Sequence, residues 1–147
     1  MMTTPTVAET CSRYLDAWRS RDVEAILALH TGDSVFRLHV HGEQDAVGTD
    51  AVRTAFTSLF ETWADLSFAT VRLRYGSDYF VHEMDVWGTP LGLVDHVEGS
   101  TRGSDEPVHY DMVDVIEVRD GQIVRKDTYV DALAVIAATT ATAAANQ

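Results

Sequence analysis

Asp114 lies inside the run Met112–Val118, with Val113, Val115 and Ile116 beside it. A carboxyl among such neighbours needs a partner or a chemical purpose, because burying it uncompensated is costly. Apolar surroundings resist ionisation, so Asp114 is expected to keep a proton and act as a hydrogen-bond donor. Tyr14 shares a helical face with Val7, Cys11, Leu15 and Trp18, and its phenol gives that face one polar tip. Further along, Val81, Glu83, Asp85 and Trp87 alternate with His82, Met84 and Val86, so the two sets face opposite ways on a strand. If the second set packs on helices or on a partner, Glu83 and Asp85 face a cavity and can move protons. If the cavity lies on the other side, they are solvated and His82 becomes the residue of interest.

The pair His39-Val40-His41 could place two imidazoles on one strand face, as a metal site would need. No convincing third ligand follows it, and no metal is expected. His96 and His109 flank a long loop. The chain has no glycine-rich phosphate loop, no Cys–His pair and no G-x-S-x-G elbow. No cofactor and no acyl-enzyme chemistry are therefore expected.

These residues must be positioned by a small number of elements. Thr6-Val7-Ala8-Glu9 has capping-box spacing, and the Tyr14 face follows it as a first helix. Asp22 can cap a second helix with Val23, Ile26, Leu27 and His30 inward, stopped by Gly32-Asp33. Ser34–Val40 is expected as a strand. Thr49 or Asp50 then caps a long helix whose Val52, Ala55, Phe56, Leu59, Phe60 and Trp63 form one stripe. From Leu66 the period changes. Leu66–Tyr75, Tyr79–Trp87, His109–Val118 and Gln122–Val130 are rich in β-branched and aromatic residues, joined by turns at Gly76-Ser77 and Arg119-Asp120-Gly121. The segment from Gly88 to Pro107 is expected to be a lid, a binding loop or partly extended. Helices followed by a run of strands imply an α+β fold, a curved antiparallel sheet with three helices on one face.

The 147 residues fit one domain, with an Ala/Thr-rich tail over 132–147. A net charge of −12, with Lys126 the sole lysine, argues against nucleic-acid and anionic membrane partners. One cysteine, Cys11, excludes an intrachain disulfide. With neither a leader nor a spanning segment in view, a cytoplasmic location is expected.

The order of elements resembles the NTF2-like superfamily over roughly Val7–Val135. Three patterns carry the likeness. Tyr14-Leu15-Asp16-Ala17-Trp18 with Asp22-Val23-Glu24-Ala25-Ile26 resembles its opening helix pair, and Gly48-Thr49-Asp50-Ala51-Val52-Arg53 resembles the entry to its long helix. Val113–Val124 resembles the last hairpin of its SnoaL-like polyketide cyclases and ketosteroid isomerases. The resemblance implies a cone-shaped sheet around an apolar pocket. It puts Tyr14 at the oxyanion-hole tyrosine of the isomerases and Asp114 at their protonated aspartic acid. Leu38 occupies the position of their base. His39 stands next to it, turned away from the pocket unless a bulge intervenes.

The implied pocket residues are Trp18, Phe36, Leu38, Phe56 and Phe60 from the first half, with Glu83, Trp87, Met112, Lys126 and Thr128 from the second. Asp114, Tyr14, Asp85 and His39 are the implied catalytic candidates. Limonene-epoxide-hydrolase-like members use an Asp–Arg–Asp set. Here Asp85 matches one aspartate, but Glu83 replaces the arginine, Thr128 replaces the second aspartate, and Lys126 stands where an aromatic is usual. That chemistry is rejected. The function implied is a cofactor-independent isomerase, cyclase or dehydratase acting on a small apolar carbonyl compound. The alternatives are a non-catalytic binder of small apolar or aromatic ligands and a dimerisation module. A homodimer through the outer sheet face is expected, using strands that carry Arg72, Arg74, His82 and Met84.

Overall fold

The computed structural model describes residues 3–40, 43–96, 99–102 and 106–145. Helix α1 (Val7–Ser20) begins at the expected capping box: Glu9 N–H donates to Thr6 Oγ1, and Thr6 N–H donates back to Glu9 Oε2, each at 3.1 Å. It ends at Arg21, whose φ of 57° turns the chain left-handed. Asp22 caps α2 (Val23–Leu27) by accepting from the Glu24 and Ala25 N–H groups. That helix is shorter than expected, because His30 already opens strand β1 (His30–Leu38). After β2 (Ala46–Val47) comes α3 (Thr49–Thr62). Its N-cap is Gly48, at φ 87°, rather than Thr49 or Asp50. A positive φ suits glycine there.

The expected run of strands is present as β3 (Trp63–Tyr75), β4 (Tyr79–Pro90), β7 (Val108–Arg119) and β8 (Gln122–Val130). The segment between β4 and β7 is partly extended: β5 (Leu93–His96) pairs antiparallel with β6 (Gly99–Arg102). The Ala/Thr-rich tail forms α4 (Ala132–Ala145), with Asp131 accepting from Ala134 N–H at its start. High alanine content favours a helix intrinsically.

Among the described residues six strands form one curved, open sheet in the order β2-β1-β8-β7-β4-β3. The fold is α+β as expected, with one correction. The sheet is mixed, because β1 runs parallel to β8 while the other neighbours are antiparallel. The parallel pair joins two strands about ninety residues apart, with α3 among the elements between them, and parallel neighbours do require a crossover of that kind.

Two clusters form the core. One packs Cys11, Tyr14, Ile26, Val52 and Phe56 from the helices onto Phe80, Ile116 and Ile123 of the sheet. The other gathers Trp63, Met84, Val86, Val108 and Tyr110 under Val135 of α4. The side chains of His82, Met84 and Val86 are therefore buried on the helix side, and alternation sends Glu83, Asp85 and Trp87 to the outer face. No helix among the described residues is long and apolar enough to cross a membrane.

Candidate active site

Between the helices and the concave side of the sheet lies a cavity of about 540 Å³, a size that suits a small organic ligand. Its wall is mostly apolar. Trp18 of α1, Phe36 and Leu38 of β1, Phe68 of β3, Met84 and Val86 of β4, and Tyr110 and Met112 of β7 line it, with Val135 and Ile136 of α4 along one side. Glu43, Gln44 and several Ser and Thr side chains also line it, and His82, Asp114, Lys126 and Thr128 form a polar cluster on the sheet side.

Sheet register assembles that cluster. Asp114 faces His82 across β4–β7 and Thr128 across β7–β8. Lys126 is two residues from Thr128, on the same face. Lys126 Nζ donates to Asp114 Oδ2 at 2.5 Å, and Thr128 Oγ1 donates to Asp114 Oδ1 at 2.6 Å. The Lys126 ammonium also lies 4.9 Å from the ring centre of Trp18 and 5.6 Å from that of Tyr14, where the negative ring faces attract a cation. Asp114 thus accepts on both oxygens from an ammonium and a hydroxyl. The expected hydrogen-donating role of Asp114 differs from this geometry, in which both of its oxygens accept and Lys126 supplies the compensation that apolar neighbours cannot.

His82 is 1% exposed. Its Nε2 lies 2.9 Å from Thr70 Oγ1, and its Nδ1 has no hydrogen-bond partner among the described residues. Burial lowers its pKa to about 4; the Asp114 charge opposes the shift, while Lys126 and Arg19 add to it. The ring is neutral at pH 7, with an unengaged nitrogen.

The structure places the other expected residues as follows. Trp18, Phe36, Leu38, Met112, Lys126 and Thr128 line the cavity with Asp114. Tyr14 does not. It is fully buried, and its hydroxyl is 2.8 Å from His30 Nε2, while His30 Nδ1 is 3.0 Å from Ser34 Oγ. Tyr14, His30 and Ser34 form a buried chain behind Trp18. Burial lowers the His30 pKa to about 3, and the nearby Lys126 charge acts in the same direction. Burial likewise holds the Tyr14 phenol well above its ordinary range. Phe56 and Phe60 pack on Trp18, with ring centres 4.9 and 5.5 Å away, and support the wall without forming it.

Glu83, Asp85 and Trp87 are on the convex face, where Glu83 accepts from Arg72 Nε at 2.7 Å and Trp87 stacks on His109. His39 is on that face too. Its Nε2 is 2.7 Å from Asp127 Oδ1, and its ring stacks on Tyr129. Strict alternation without a bulge at His39 accounts for its direction. His41 lies outside the described residues.

Sequence reasoning left His82 undecided and missed the Lys126–Asp114 pair. A sole lysine on a strand with Thr128 at i+2 was the available signal.

Residues 11–126 match the SnoaL-like domain. The chain belongs to the SnoaL-like domain family. Solved structures of similar shape agree with this SnoaL-like, NTF2-like fold. A protein of Jannaschia sp. CCS1, provisionally named a SnoaL-like polyketide cyclase, superposes with a TM-score of 0.77 at 18% identity, covering 96% of this chain and 98% of that one. A Catenulispora acidiphila protein with a ketosteroid isomerase-like fold, solved with trimethylamine, gives 0.68 at 16% identity, covering 86% of each chain. A phenazine-biosynthesis-related protein of Pseudomonas aeruginosa gives 0.69 at 13% identity, over 91% of this chain and 89% of that one. No match is found among curated proteins. At these identities the likeness is one of fold, and the SnoaL-like chain's chemistry must be argued from its own cavity.

Proposed function

We propose that this SnoaL-like protein is a cofactor-independent isomerase, cyclase or dehydratase that enolises a small, largely apolar carbonyl compound. The observation that supports this reading is the polar cluster of His82, Asp114 and Lys126 in a mostly apolar cavity. An ammonium has three donors, and the Asp114 carboxylate takes one. A second can meet the substrate's carbonyl oxygen, where negative charge grows as an enolate forms. In a low-dielectric site this is worth far more than in water. The proton leaving the α-carbon passes to His82, whose Nδ1 carries no hydrogen bond but is buried, so substrate entry has to turn the ring toward the cavity. Asp114, across the strand pair, stabilises the imidazolium that results and holds Lys126 in place. In this reading Lys126 polarises the carbonyl, a role first expected of Asp114 and Tyr14, and His82 moves the proton, a role first expected of Asp85 or a histidine. Apolar walls favour a small apolar or aromatic ligand.

Exchange of the α-hydrogens of 2-tetralone in D2O, followed by NMR, tests this reading. The protein should accelerate exchange, with His82→Ala and Lys126→Met each lowering the rate at least about tenfold. Binding of 2-naphthol, an enol mimic, should weaken in Lys126→Met. Binding without exchange would make the protein a ligand carrier with the same pocket. Loss of both signals would remove the carbonyl reading.

A second copy of the chain is the proposed macromolecular partner. Tyr79, Trp87 and Tyr129 are exposed on the convex face at 42, 38 and 46%, and Arg72 lies there beside Glu83. His82 and Met84, first assigned to this contact, are turned to the cavity instead. Sedimentation equilibrium should give twice the 16.2 kDa chain mass; a single-chain mass at micromolar concentration would refute the dimer.

A further inference from the structure

The convex face carries a side-chain group unrelated to the cavity. Asp85 of β4 and Asp111 of β7 are direct partners across the strand pair, and Trp87 and His109 are the next outward-facing pair along it. Two like charges placed opposite each other destabilise a sheet, so something positive between them would be gained. The ligand atoms of Asp85, His109 and Asp111 all lie within 4.8 Å of one another. His109 Nε2 stands 3.5 Å from Asp85 Oδ1. Zinc bonds of about 2.1 Å to nitrogen and oxygen, arranged as a tetrahedron, put neighbouring ligands about 3.4 Å apart. The imidazole is also fixed in plane: Trp87 stacks on it with ring centres 4.6 Å apart and only 4° between planes. A ring held this way loses little freedom when it binds an ion.

We propose that Asp85, His109 and Asp111 bind one divalent transition-metal ion of the zinc class on the outer face of the sheet. One imidazole with two carboxylates suits zinc and its neighbours better than magnesium or calcium, which favour all-oxygen shells. The fourth position lies on the outer face, where His109 and Asp85 are 54 and 36% exposed in the single chain, and a water or a group of the second copy fills it. This site is independent of the cavity reading and stands or falls separately.

The test is calorimetric titration of EDTA-treated, desalted full-length protein with zinc chloride. The expected result is one zinc per chain with a Kd of about 10 μM or tighter. His109→Gln and Asp111→Asn should each weaken it at least about tenfold, and His39→Gln, a change at another convex-face histidine, should leave it unchanged. The three residues are exposed or half-buried, so these variants are expected to fold, which circular dichroism checks. Counting per chain makes the result independent of dimerisation. Absence of binding at about 100 μM zinc, binding unaffected by both site substitutions, or equal competition by magnesium overturns the proposal.

Discussion

Lys126 and Asp114 form an ion pair that is almost wholly removed from solvent, with side chains 5 and 7% exposed. Breaking such a pair by removing one partner leaves an uncompensated buried charge, which costs about 3–5 kcal/mol. Lys126→Met and Asp114→Asn are each expected to lose stability on that scale in urea unfolding. Apolar neighbours alone would argue that Asp114→Asn is neutral or stabilising; the ammonium at its carboxylate reverses the sign. The double variant should recover much of the loss. Additive losses would mean that the two residues act separately.

His30 and His82 are held neutral, with pKa values lowered from 6.5 to about 3 and about 4. In the unfolded chain each takes a proton near pH 6.5, while the folded chain does not. The unfolded state then binds more protons, so stability is full above about 6.5 and falls as pH drops toward the folded values. Each histidine contributes a slope of about 1.4 kcal/mol per pH unit. Unfolding measured from pH 6.5 to 5 should show both slopes, and His30→Gln should remove about half. An unchanged slope in that variant would contradict the assignment.

Burial also governs Cys11, which is 1% exposed. Its thiol is pushed up to about 11, against a smaller opposing hydrogen bond with Tyr75. The thiolate is the reactive species, so a thiol reagent at pH 8 should leave folded protein untouched and label it fully in urea. Rapid labelling of the folded chain would refute this placement.

Phe56 is fully buried, with the rings of Trp18, His30 and Phe36 centred 4.9, 5.6 and 5.0 Å from its own. Phe56→Ala should cost about 3–5 kcal/mol. Because Phe56 backs Trp18, affinity for 2-naphthol should fall as well. A cost below about 1 kcal/mol would show a slack core.

Much of the architecture could be read from periodicity. The Tyr14 and Phe56 stripes mark their helices, and Asp120-Gly121 marks the last hairpin. The parallel neighbour relation of β1 and β8 could not, because it joins segments far apart in sequence with no local signature. The site was harder still, for two reasons. On β4 both faces carry polar residues, so alternation separates His82 from Asp85 without saying which one meets the helices. On the last hairpin, an unbroken count from the turn puts Asp114 opposite Asp127. The register shifts between Glu117 and Val118, and that shift brings Thr128 opposite Asp114, with Lys126 on the same face. A single inserted residue of this kind reverses every facing relation beyond it.

The seclusion of Lys126 gives the molecule a built-in chemical reporter. With every other basic side chain an arginine or histidine, acylating or reductively methylating reagents meet only one ε-amine, and it is inside the cavity. The modification rate at that amine measures how often the cavity admits a small electrophile. Any compound that shields it from modification identifies itself as an occupant, whether or not it is ever turned over.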